Sequence, residues 1–165
     1  MLTVLVIDES RSRAGEICAG LALAGYQVAA ILAGSENLTA EVEKLQPDVI
    51  LIDTDSPSRD TLENLAAMHK NMPRPVVIFT QEDGQAMIRD AVRAGVSAYV
   101  VDGLDPKRIK PIVEVARARF EDAQALRREL DEMSQKLSDR KLVDKAKGVL
   151  MKARGLDEDA AYHAM

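Results

Sequence analysis

Short unbroken apolar runs alternate along the chain with segments in which apolar residues recur every three or four positions. Thr3, Val4, Leu5, Val6 and Ile7 form the first run, and residues 27–31 the second. Val49, Ile50, Leu51 and Ile52, bracketed by Asp48 and Asp53, form the third. Residues 76–80 and 98–101 give the fourth and fifth. Apolar runs without alternation are what a strand covered on both faces requires. Between them lie helical patterns: Ala14, Ile17, Cys18 and Leu21 after an opening Ser10 and before Gly25; Leu38, Val42 and Leu45 before Pro47; Leu62, Leu65, Ala66 and His69; and Met87, Ile88, Ala91 and Val92 before Gly95. Ser suits a helix start and Gly or Pro its end. Five strand–helix alternations predict a doubly wound, five-stranded parallel sheet with helices on both faces.

Right-handed crossovers would bring the ends of the first, third, fourth and fifth strands to one edge. That edge collects Asp8, Glu9, Asp53, Thr80 and Asp102. Ligands in open α/β sheets sit beyond the carboxyl ends of strands. Carboxylates and a hydroxyl without His or Cys suit a hard ion such as Mg²⁺, and a metal-held carboxylate can accept a phosphoryl group. The plainer alternative is that each acid caps the helix that follows it.

After Asp105 and Pro106, an N-cap and a proline fit for a first turn, the period changes. Ile109, Ala116, Ala123, Leu130 and Leu137 recur every seven residues, as do Ile112, Leu126 and Met133 with Arg119 as an interruption. This predicts a helix that first packs on the sheet, is kinked at Pro111, and beyond Phe120 pairs with a second copy in a parallel coiled coil. Leu142, Val143, Ala146, Val149, Leu150 and Ala153 then line one face of a further helical segment ending at Gly155, opposite Lys141, Lys145, Lys152 and Arg154, with Lys147 nearer the edge.

Charge sharpens that last segment. Between residues 138 and 155 six basic side chains face two acidic ones, a local excess of +4 in a chain of net −5, so the remainder carries −9. An anionic partner at one end is implied, although a solvated helix face would look similar. Aromatics make up 3% of residues and Trp is absent, which argues against base stacking as a binding device. One cysteine, Cys18, excludes an internal disulfide and reads as a helix-face filler. With no apolar run of membrane-spanning length and no basic head before an apolar N-terminal run, a cytoplasmic protein is expected.

The strand-end residues resemble those of the response-regulator receiver domain, over about residues 1–118. Asp8 and Glu9 match its Mg²⁺-holding acidic pair, Asp53 its phosphoacceptor, Pro57 the proline of the following loop, Thr80 and Tyr99 its switch hydroxyl and switch aromatic. The resemblance implies a flavodoxin-like fold with Asp8, Glu9 and Asp53 as metal ligands. Where receivers carry Lys-Pro after the fifth strand, this chain has Asp102 and Gly103. A cation is replaced by an anion, and like charges at ~4 Å cost on the order of 4 kcal/mol at an effective dielectric of 20. Arg11 and Lys107 are candidate substitutes.

A second resemblance covers the basic end. Arg140, Ala146-Lys147-Gly148, Leu150-Met151, Gly155 and Ala160-Ala161-Tyr162 are similar to the ANTAR module, an antiterminator that binds RNA stem-loops. The chain stops at Met165, within what the module's last part should be, so an incomplete module is expected. The implied organisation is a receiver over 1–118, a coiled-coil linker helix over 119–137 and ANTAR over 138–165. Receiver, coiled coil and ANTAR in this order resemble the NasT family of nitrate-assimilation antiterminators. That implies a homodimer, leader-RNA hairpins bound through Arg140, Lys141, Lys145, Lys147, Lys152 and Arg154, and control by a histidine kinase or a nitrate-sensing partner. Two other classes fit the residues less well. One is a pseudo-receiver that only docks proteins; the other is a Mg²⁺-dependent enzyme with an Asp53 phosphoryl intermediate, which would lack a second general acid and a glycine-rich phosphate loop. No catalytic residue is assigned.

Overall fold

The structure, a computed structural model, describes residues 1–9, 13–102 and 105–153, the last sixteen of them (138–153) as helix backbone only. The elements run β1 (Thr3–Asp8), α1 (Ala14–Leu23), β2 (Gln27–Leu32), α2 (Leu38–Leu45), β3 (Val49–Asp53), α3 (Arg59–Asn71), β4 (Val76–Thr80), α4 (Gln85–Arg93), β5 (Ala98–Val101), a 3₁₀ turn (Pro106–Arg108) and α5 (Ile109–Ala153). All strands are parallel, in the order β2-β1-β3-β4-β5. Two compact units divide the chain, residues 1–121 and 122–165.

The lack of alternation in the central strands has a direct cause. Leu5 and Ile7, Ile50 and Ile52, Val76 and Ile78 pack on one face with Leu38, Val42, Leu65 and Met68 from α2 and α3. The intervening Val4 and Val6, Val49 and Leu51, Val77 and Phe79 pack on the other with Ile17, Leu21, Ile109, Val113 and Ala116 from α1 and α5. Each side chain on these strands meets a helix whichever way it points, so every position is apolar until the strand ends.

Several expected helix features shift. The first helix begins at Ala14, with Arg13 rather than Ser10 at its N-cap; Ser10 and Arg11 lie outside the described residues. Cys18 is partly buried, beside the fully buried Ile17 and Leu21. On α4 only Ala91 is buried, and Val92 is exposed. Pro111 does not break the last helix. The α-helical stretch starts at Ile109, which puts Pro111 in its first turn, where a missing N–H costs little. Asp105 caps as expected, its carboxylate accepting the Lys107 N–H at 3.0 Å. The seven-residue repeat divides by burial: Ile109 and Ala116 are core and Ile112 is partly buried, whereas Leu126, Leu130, Met133 and Leu137 are each more than half exposed in the single chain. Among the described residues no helix is long and apolar enough to cross a membrane.

Two contacts join elements around the sheet, one between α5 and the turn before β2, the other between the end of α4 and α3. The Tyr26 hydroxyl donates to Glu114 Oε1 at 2.6 Å. Burial first, and then this bond to a carboxylate, push the phenol from 10.0 up to about 12. A raised folded pKa means that the protonated phenol stabilises the fold below pH 10 and that this contribution fades as pH rises through about 12. Tyr26→Phe is therefore expected to lower the urea midpoint at neutral pH and to flatten its decline between those two pH values.

At the other contact, Gly95 has φ +103, and a Cβ there would lie 2.6 Å from the His69 ring. That ring stands edge-on to Phe120 at 6.3 Å between centroids. Gly95→Ala is expected to cost roughly 1–3 kcal/mol through strain alone, read as a lower urea midpoint at unchanged slope.

Candidate functional site

β1 and β3 pair in register up to their last residues, so Asp8 and Asp53 are direct neighbours at the strand ends. The Glu9 N–H continues the ladder to the Asp53 carbonyl at 2.9 Å. Asp53 is fully buried and Asp8 nearly so. By the alternation above, residues 4, 6 and 8 and residues 49, 51 and 53 share the sheet face covered by α1 and α5. The first residue before α1 reaches this pair: Arg13 Nη1 lies 4.0 Å from Asp53 Oδ1.

Glu9 is turned elsewhere. Ser58 caps α3 by accepting the Thr61 N–H at 3.0 Å. Thr61 Oγ1 donates to Glu9 Oε1 at 2.8 Å, so the 2.9 Å contact between the two hydroxyls must be donated by Ser58. A carboxylate at a helix N-terminus is a favourable placement. Oxygen-only donors suit Mg²⁺ in chemistry, but among the described residues no three of His, Cys, Asp and Glu are grouped to hold a metal ion. Of the three expected metal ligands, the sheet brings Asp8 and Asp53 together and Thr61 holds Glu9.

The two switch residues meet through one loop. Thr80, buried at the end of β4, donates its hydroxyl to the Asp55 carbonyl at 2.9 Å and accepts the Glu82 N–H at 3.2 Å. The Tyr99 hydroxyl donates to the Glu82 carbonyl at 2.8 Å, and burial, followed by the Glu82 charge, raises the Tyr99 phenol above its ordinary range. Thr80 and Tyr99 thus grip the Glu82 peptide units from either side.

Asp102 extends the β4–β5 ladder by one bond, its N–H to the Thr80 carbonyl at 3.1 Å, and turns with φ +52. Its side chain is exposed, where water screens its charge. The full like-charge penalty expected at this position is therefore not met. Of the candidate substitutes, Lys107 is exposed on the 3₁₀ turn and Arg11 lies outside the described residues. Sequence reasoning missed Arg13 and Thr61. Thr61 had a signal, since Ser58 and Thr61 have cap spacing ahead of an apolar helix pattern; Arg13 had only its proximity to Glu9.

At the basic end, Arg140, Lys141, Lys145, Lys147 and Lys152 fall on the α5 backbone. Their side chains, and Arg154 altogether, lie outside the described residues.

The five-stranded parallel sheet with a buried carboxylate pair at its strand ends agrees in kind with the family matches. The response regulator receiver domain family matches residues 4–114 and the ANTAR domain family residues 131–165. The chain belongs to the response regulators, with a receiver domain followed by an ANTAR domain. It is similar to the transcriptional regulatory protein PdtaR of Mycobacterium tuberculosis, 28% identical over 138 residues that cover 84% of this chain and 67% of that protein. It is also similar to the DNA-binding response regulator MtrA of Mycolicibacterium smegmatis, 30% identical over 135 residues covering 82% and 55%. Among solved structures, the receiver domain of a modulated diguanylate cyclase from Desulfovibrio desulfuricans superposes with TM-score 0.64 at 20% identity, covering 73% of this chain and 98% of that one. A CheY-like receiver from Methanospirillum hungatei gives 0.63 at 19%, covering 74% and 98%. These two establish the fold alone. The resemblance to nitrate-assimilation antiterminators is not confirmed by PdtaR or MtrA.

Proposed function

We propose that this chain is a response regulator that acts by antitermination: its ANTAR module binds hairpins in a leader transcript and prevents a terminator from forming. The observation that carries the reading is the ANTAR match over residues 131–165 following the receiver match over residues 4–114. Asp53 is the proposed phosphoacceptor, supported by its place at a buried strand end beside Asp8. Asp8, Glu9 and Asp53 are the proposed Mg²⁺ ligands, Glu9 only after releasing Thr61. Thr80 and Tyr99 are the proposed switch pair, because both hold the Glu82 backbone.

Arg140, Lys141, Lys145, Lys147, Lys152 and Arg154 supply phosphate contacts, whose strength falls with salt, while loop bases are read by shape and edges. Leu126, Leu130, Met133 and Leu137 form the seam of a parallel homodimer, so that two modules face two hairpins. The input is a histidine kinase or a sequestering sensor protein.

Transcription with purified polymerase through a leader carrying two hairpins and a terminator tests the function. Added protein should raise read-through, and Arg140→Ala together with Lys147→Ala should remove most of the gain. Equal read-through with and without protein would count against antitermination.

A further inference from the structure

The phosphoacceptor pocket lacks the lysine that the receiver resemblance calls for, yet it is not without a cation. We propose that Arg13 takes over that role: its guanidinium offsets the Asp53 carboxylate at rest and holds the phosphoryl oxygens once Asp53 is modified. The inference rests on the reading of Asp53 as phosphoacceptor. Three features of the chain lead to it. Arg13 Nη1 stands 4.0 Å from Asp53 Oδ1, with the Arg13 side chain only 21% exposed and Asp53 fully buried. The position follows from the fold, because Asp8 and Asp53 lie on the sheet face that α1 covers, and the Arg13 carbonyl, accepting the Ile17 N–H at 3.0 Å, anchors the residue at the N-cap of α1. Asp102, where the lysine would be, is exposed and turned away from strand geometry by a positive φ.

The chemistry suits an arginine. When an acyl phosphate donor reacts, an Asp53 carboxylate oxygen forms a bond to phosphorus as the bond from phosphorus to the donor's carboxylate oxygen breaks, and the donor carboxylate leaves with the electron pair. Negative charge accumulates on three phosphoryl oxygens in a site that already holds Asp8. A planar guanidinium offers paired donors to two such oxygens at once, and it keeps its charge when partly buried. The cation is thereby moved from the end of β5 to the start of α1.

The test uses the full chain and two readouts. In chelator, urea unfolding of the parent, Arg13→Ala, Asp53→Asn and the double variant forms a cycle. The proposal expects Arg13→Ala to lower the midpoint in the parent and to lower it much less once Asp53 is Asn; additive shifts would overturn the pair. With acetyl phosphate and Mg²⁺, mass spectrometry follows one added phosphoryl group on Asp53. Arg13→Ala should slow its appearance at least ~tenfold, Arg13→Lys should fall between, and adding Asp102→Lys to Arg13→Ala should recover part of the rate. Parent-like labelling of Arg13→Ala would overturn the phosphoryl role while leaving Asp53 as phosphoacceptor. No labelling of the parent would instead remove the phosphoacceptor reading and the phosphoryl role with it, and the cycle in chelator would then decide the resting ion pair by itself.

Discussion

Alanine at Lys141, Lys145 and Lys147 together is expected to weaken binding to a two-hairpin RNA by at least about a hundredfold at low salt, and to reduce the slope of log affinity against log salt by roughly three units. Each lysine that neutralises a phosphate releases a counterion, so losing three contacts removes three such terms. The loss should be nearly the same for hairpins of different loop sequence, because phosphate contacts position the RNA rather than read it. Alanine preserves helix propensity along α5, so helicity by circular dichroism should stay at the parent's level. A binding titration at several salt concentrations checks both numbers. If the triple variant bound as the parent does, these lysines would be only solvated charges and not an RNA site.

The second large effect concerns the seam. Leu126, Leu130, Met133 and Leu137 are spaced by four, three and four residues, and all are more than half exposed in one chain. Burying a leucine or methionine is worth roughly 1.5–3 kcal/mol. Because association itself costs several kcal/mol, a stable dimer needs most of these side chains to contribute. Leu130→Asp with Met133→Asp removes half of the seam and places charges within it. Sedimentation should show a dimer for the parent and a monomer for the variant at the same concentration. Affinity for a two-hairpin RNA should then fall to that for a single hairpin, because the second contact no longer benefits from linkage.

Much of the receiver was legible in the sequence because its strands are patterned by local rules. The unbroken run from Val49 to Ile52 is apolar for the reason found in the fold, namely that Ile50 and Ile52 face α2 and α3 while Val49 and Leu51 face α1 and α5. Asp53 was legible for the complementary reason that the run stops there. What escaped reading were contacts set by how elements pack. Whether Arg13 reaches Asp53 depends on where α1 begins, and Ser10 was the more plausible cap by residue type. That Glu9 answers to Thr61 depends on the approach of α3 to the end of β1. The heptad pattern of α5 runs on past its interruption at Arg119, but its members divide by burial, since Ile109 and Ala116 are packed against the sheet whereas Leu130 and Leu137 are exposed. Pro111 looked misplaced only because the α-helical start was assumed to be at Pro106; the 3₁₀ turn moves that start to Ile109.

The most direct test of the central claim is a titration of the full chain against an RNA carrying two hairpins and against a scrambled RNA of the same length and composition, each at low and at physiological salt. An RNA-binding response regulator should prefer the hairpin RNA at both salt concentrations, with affinity for either RNA falling as salt rises and the preference persisting. Equal affinity for the two RNAs at physiological salt would contradict it.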